Sequence, residues 1–135
     1  MGHLTQVGGS PIGGLFDLAG PNTPPRTPPC IGVMVQVASA DAMAAKVAEL
    51  GGKSLPPFDI GANGRMAVCF DPNGANFDLW ESKAQRGMEI DGREHGAPAW
   101  FETLTSDLEH APKIYVALFG LTPEKKPMGD IKYTA

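Results

Sequence analysis

The chain has 135 residues, is 42% hydrophobic and carries a formal net charge of -4, with an isoelectric point near 5.2. That is enough chain for one domain, or for two small halves sharing a core. The acidic balance argues against nucleic acid and membrane surfaces as partners, since both select a basic face. No apolar run approaches the ~20 residues that span a bilayer. No charged-then-apolar leader opens the sequence, so a cytoplasmic location is expected.

The 17 glycines and 13 prolines predict many turns and short strands. Leu4 to Leu18 opens with a strand, a Gly-Gly-Ser-Pro turn and a second strand, in which Gly13 and Gly14 suggest a bulge. Gly20 to Pro29 holds too much proline for a helix or an inner strand and is an extended connector. Ile31 to Val37 is a buried strand. Ser39 is then an N-cap, and Asp41 adds negative charge to the first turn of a helix over Ala42 to Leu50. Met43, Val47 and Leu50 share a face of that helix, which Gly51-Gly52 ends. Lys53 to Ile60 is an edge strand broken by Pro56-Pro57.

Arg65 to Trp80 (RMAVCFDPNGANFDLW) is the plainest hairpin. Asp71-Pro72-Asn73-Gly74 has turn chemistry at each position, with Gly74 in the left-handed region. The alternation puts Met66, Val68, Phe70, Phe77 and Leu79 on an apolar face, and Asn76, Asp78 and Trp80 on the other. Lys83 to Pro98 is a surface connector. Ala99 to Thr105 is expected as a strand, with Asp107 capping a helix over Leu108 to Phe119 that Gly120 ends. Pro112 then falls awkwardly inside that helix. Pro123 to Met128 and Asp130 to Ala135 read as two further strands. Cys30 and Cys69 are expected as reduced, buried thiols.

The two strand-cap-helix-glycine units superpose at a fixed offset. It pairs Ser39 with Asp107, Val47 with Tyr115, Gly52 with Gly120, Gly32 with Trp100 and Met34 with Glu102. The second copy lacks its last strands, which the N-terminal stretch resembles. Three arrangements follow: residues 1–18 close the second module (98–135) beside a complete module over 31–82, a strand-exchanged homodimer does so, or the chain is a piece of a longer tandem protein. A dimer is the preferred expectation, because unpaired sheet edges need covering.

The stretches SADAMAAKVAELGGKSLPPFDIGANGRMAVCFDPNGANFDLW and HGAPAWFETLTSDLEHAPKIYVALFGL resemble the glyoxalase / bleomycin-resistance / extradiol-dioxygenase group, the vicinal oxygen chelate superfamily. Its tandem-module glyoxalase-like proteins are the nearest match. The resemblance implies an α+β fold in which paired βαβββ modules curl a mixed sheet into a cup, helices outside. Metal-dependent members carry His or Gln on the first strand of each module and Glu on the last. Here the first-strand positions fall on Gly32 and Trp100, one last-strand position on Asp78, and the other near Gly13-Gly14. One carboxylate does not hold a divalent ion, so no cofactor is expected; a metal resting on Asp78 is the alternative.

Strand alternation would bring Met34, Gln36, Asp78, Trp80, Trp100 and Glu102 to the inner wall, with Arg65 steering ligands at the mouth. Asp78 and Glu102 can act as an acid–base pair, or each can be hydrogen-bonded to Gln36, Arg65 or backbone. Cys69 alternates toward Asp78 with no cation beside it to activate the thiol. His3, His95 and His110 are scattered. The expected function is binding of a small, partly apolar metabolite or drug. The alternative is a glyoxalase- or dioxygenase-type enzyme with an atypical metal site.

Overall fold

The computed structural model describes residues 2–21, 23, 25–128 and 131–134. The fold is α+β. Its centre is a five-stranded mixed sheet built from β3 (Met34–Gln36), β4 (Lys53–Ser54), β5 (Phe58–Ile60), β6 (Gly64–Phe70) and β7 (Asn76–Ser82). β3 runs parallel to β7, which pairs antiparallel with β6; β4 and β5 both pair antiparallel with β6. Helix α1 (Ala40–Glu49) crosses from β3 to β4, completing one β-α-β-β-β module. The single expected strand over Lys53 to Ile60 is two short ones, because Pro56 and Pro57 lack the N–H groups a continuous ladder needs.

The turn between β6 and β7 forms as its residues predict. Gly74 N–H donates to the Asp71 carbonyl at 3.0 Å, and Gly74 has φ +91°. Asp71 Oδ1 accepts from the backbone N–H of Asn73 and of Ala75, both at 2.8 Å. This turn fixes the register, which pairs Met66 with Trp80, Val68 with Asp78, and Phe70 with Asn76. Directly paired residues share a face of the sheet. The face assignment made from alternation along each strand alone is therefore corrected. Met66, Val68 and Phe70 lie with Asn76, Asp78 and Trp80, whereas Ala67, Cys69, Phe77 and Leu79 make the opposite face. Cys69 accordingly points away from Asp78's side.

That opposite face carries the core. Ala44 and Val47 of α1, and Ile114 and Leu118 of α2 (Ala111–Phe119), pack on Ala67, Cys69, Phe77 and Leu79. Phe77 meets the rings of Tyr115 and Phe119 edge-on, with centroids 5.8 and 6.0 Å apart. Fully burying a side chain such as Leu79 or Val47 contributes roughly 1.5–3 kcal/mol. The buried stripe of α1 is Ala40, Ala44 and Val47; Met43 sits at its margin and Leu50 is partly exposed. Ser39 Oγ accepts from Ala42 N–H, and Glu81 of β7 accepts from Ala40 N–H at 2.9 Å, so the helix start is tied to the end of the central hairpin. Lys46 reaches across to the Ala117 carbonyl near the end of α2.

In the second half, Ala99 to Thr105 is not a strand. Trp100, Phe101 and Leu104 are exposed there, with no described strand beside them to supply ladder partners. Asp107 does cap, but it caps a turn ahead of α2: its Oδ1 accepts from the backbone N–H of Glu109 and His110. The helix begins at Ala111, so Pro112 occupies its first turn, where a missing N–H costs nothing. Gly120 ends it at φ +68°.

β1 (Gly2–Val7) and β2 (Ser10–Phe16) form a hairpin around Gly8 and Gly9, both with positive φ, and the register slips between Thr5 and Gln6 opposite Pro11 to Gly13. β8 (Lys125–Met128) pairs with β9 (Ile131–Thr134). Each hairpin is its own two-stranded sheet, and among the described residues no ladder joins β9 to β1. Asp130 and Ala135, the ends of the expected last strand, lie outside the described residues, as do Asn22 and Pro24 of the connector.

Candidate functional site

The helices cover one face of the sheet; chemistry is left to the other. On that face Asp78 sits at the centre of β7. Val68 stands opposite it on β6 and Met34 opposite it on β3; Asn76 and Trp80 flank it along its own strand. Asp78 is only 8% exposed, and its Oδ1 has no hydrogen-bond partner among the described residues. Such an atom is costly to bury, by about 1–3 kcal/mol for a neutral group and more for a charged one. Removal from water pushes the Asp78 carboxyl up to about 6, opposed by the Asn76 side chain. Asn76 Nδ2 itself donates to the Cys69 carbonyl at 3.0 Å.

Gly32 matters here for its lack of a side chain. A Cβ on Gly32 would lie 3.1 Å from Asp78 Oδ2. The chain reaches this spot because Asp78 N–H donates to the Val33 carbonyl at 2.8 Å, extending the β3–β7 pairing backwards. Trp80 closes the far end of the face. Its indole packs over Gly64, where a Cβ would stand 2.5 Å from the ring, and its Nε1 donates to the Gln85 carbonyl at 3.1 Å. Met34 remains about half exposed, and Gln36 at the outer end of β3 donates to Ser82 Oγ.

The expected site residues therefore divide. Met34, Gln36, Asp78 and Trp80 do share a face. Arg65 pairs directly with Glu81 on the helix side, where Asp41 accepts from its Nε and Nη2 at 2.7 and 2.9 Å and Asp59 from Nη1. Trp100 and Glu102 lie in an exposed segment outside any strand, with Trp100 Nε1 donating to Glu102 Oε1, so strand alternation does not orient them. Cys30 is exposed, contrary to expectation, because residues 27–33 form no strand to bury it. Cys69 is buried, and desolvation raises its thiol pKa. His110 is exposed and bonded to Asp107 at 2.9 Å. Missing from the sequence reading were Met66 and Val68 as walls of the Asp78 face, and the space that Gly32 keeps open. The even-to-even pairing imposed by the loop 71–75 is the signal that would have found the first two.

Several proteins are similar to this chain in sequence. The chain is 37% identical over 103 residues, 76% of its length, to proteins of Mycobacterium tuberculosis and Mycobacterium bovis named "Putative glyoxylase CFP32". It is 39% identical over 85 residues, 62% of its length, to the "Anthracycline biosynthesis protein DauV" of a Streptomyces species. These similarities support assignment of the chain to the vicinal oxygen chelate superfamily. No protein-family model matches it. The match covers 39% of the mycobacterial proteins and 30% of the Streptomyces one, so the chain corresponds to well under two thirds of these relatives.

Metal-dependent members of the vicinal oxygen chelate superfamily set the test for a divalent ion at this face. The residues described here do not fit one. Gly32 offers no donor, and among the described residues no three His, Cys, Asp or Glu side chains gather closely enough to hold a metal. Asp78 brings one carboxylate, where a stable site needs three or four ligands. No helix among the described residues is long and apolar enough to cross a membrane.

Proposed function

We propose that this vicinal oxygen chelate protein binds a small, partly apolar molecule against the Asp78 face of its central sheet. One observation carries the reading: a carboxyl more than nine-tenths buried, walled by Met34, Val68 and Trp80, with an oxygen that the described protein groups leave without a partner. Apolar walls with a single convergent polar group are the usual make-up of a small-molecule site. The relatives' names, "Putative glyoxylase CFP32" and "Anthracycline biosynthesis protein DauV", agree with handling of small organic molecules. The metal-dependent alternative draws less support, because among the described residues Asp78 belongs to no group of three His, Cys, Asp or Glu side chains that could hold an ion.

Binding is tested on protein labelled at the methionine methyl groups. Met34 and Met66 lie on the proposed face, and Met43 lies on the helix side. Titration with small aromatic and aliphatic compounds should move the Met34 and Met66 signals saturably and leave Met43 in place. A panel that moves none of them, or moves Met43 first, overturns the reading.

A further inference from the structure

The ligand's chemistry is open at one point, the corner between Gly32 and Asp78. We infer that this corner, where metal-dependent relatives would present a donor set, recognises the protonated amine of an otherwise apolar ligand; the inference rests on the binding function proposed above. The carboxyl is buried, and no cation pairs with it among the described residues. Its neighbours on the face are Asn76, Trp80, Val68 and Met34, none of them basic. The nearby cations are engaged on the helix side, Arg65 with Asp41 and Asp59, and Lys83 with Asp59. A buried carboxylate without a cation is costly, and removing that cost favours a charged partner over a neutral one.

Geometry narrows the partner further. Gly32 puts no side chain of its own beside Asp78 Oδ2, and a methyl there would crowd that oxygen at 3.1 Å. Oδ1 has its acceptor capacity intact among the described residues. An ammonium group donates three hydrogen bonds from one small head, so it suits a narrow corner holding two carboxylate oxygens. A lone divalent ion would lack the further ligands it needs. The walls beyond the corner are Met34, Met66 and Trp80, apolar or polarizable groups that suit a hydrocarbon or aromatic body.

The test uses the full chain at neutral pH and two probes of the same shape, 3-phenylpropylamine and 3-phenylpropan-1-ol. Affinities are read from the Met34 and Met66 methyl signals. The amine should bind about tenfold more tightly than the alcohol, because only the amine brings the carboxylate a counter-charge as well as hydrogen bonds. In Asp78→Asn the two should fall within about twofold of each other. Gly32→Ala should weaken the amine several-fold. Equal binding of both probes at Met34 and Met66 overturns the amine inference and leaves the binding function standing. Neither probe moving those signals up to about 10 mM, a range generous for so few atoms, overturns both. Saturable broadening of the same signals by manganese(II), lost in Asp78→Asn, would show that the corner's cation is a metal and overturn the inference by that route.

Discussion

Replacing Asp78 by asparagine removes a titration without removing volume. The wild-type carboxyl moves from 3.8 to about 6 on folding because burial disfavours its charged form. The folded protein therefore holds a proton that the unfolded chain releases. Below pH 4 both states are protonated and the carboxyl imposes no charge penalty. As pH rises past 4 the unfolded chain ionises first, and stability falls until the folded carboxyl also ionises near 6. The whole movement corresponds to roughly 2–3 kcal/mol lost between pH 4 and pH 7. Asp41 and Asp59 act in the opposite sense, since Arg65 and Lys83 hold their carboxylates low; what they contribute is lost only toward more acidic pH. Comparing wild type with Asp78→Asn at each pH cancels those groups. Urea denaturation at about pH 3.5 should give nearly equal stabilities, and at about pH 7.5 the asparagine variant should be the more stable by about 2–3 kcal/mol. A difference that does not change with pH would refute the burial of an ionisable, unpaired carboxyl on this face.

Other outcomes follow from contacts elsewhere. Tyr115→Phe removes the hydroxyl that donates to Asp71 Oδ2 at 3.1 Å, and should cost about 1–2 kcal/mol in denaturant titration, because Asp71 is buried and loses one of its donors. Gly64→Ala should be worse, about 2 kcal/mol or more, since the new methyl meets the Trp80 ring at 2.5 Å and the Glu81 carbonyl at 2.6 Å; the displaced indole should also shift the tryptophan emission. In native protein a thiol reagent should titrate Cys30 promptly and Cys69 only on unfolding, because Cys69 is fully buried and its thiol is held protonated. Leu118→Ala should cost about 2–5 kcal/mol, as it opens a cavity in the packing of α2 on the sheet.

The complete module was legible because its signals are local. Ser39 caps through its own side chain, Asp71 to Gly74 close the hairpin through their own backbone, and Gly51 follows α1 in the left-handed region as a glycine can. The second half was legible only in part: α2, β8 and β9 form, but the strand expected ahead of α2 depends on partners distant in sequence. Residues 99–105 have strand composition, yet a strand needs a neighbour, and among the described residues they have none. Pro112 looked like a flaw only while the helix was started at Leu108; with Asp107 capping the turn before it, the proline falls where helices accept one.

The site was half legible for a related reason. Which side chains share a strand's face follows from alternation, but which strand faces which follows from register, and register is set by the turn. Asp71 to Ala75 bridge Phe70 and Asn76, so even-numbered residues meet even-numbered ones across the hairpin. That parity moves Met66 and Val68 out of the helix-covered core and places them beside Asp78. It also sends Arg65 to the helix side, where Asp41 waits at the start of α1. The same count turns Asp78 from one polar residue on a polar face into a lone carboxyl among apolar neighbours. A carboxyl in that setting is tolerated by a folded protein for one of two reasons: it stays protonated, or something positive comes to it. The pH comparison measures the first, and the paired amine and alcohol measure the second.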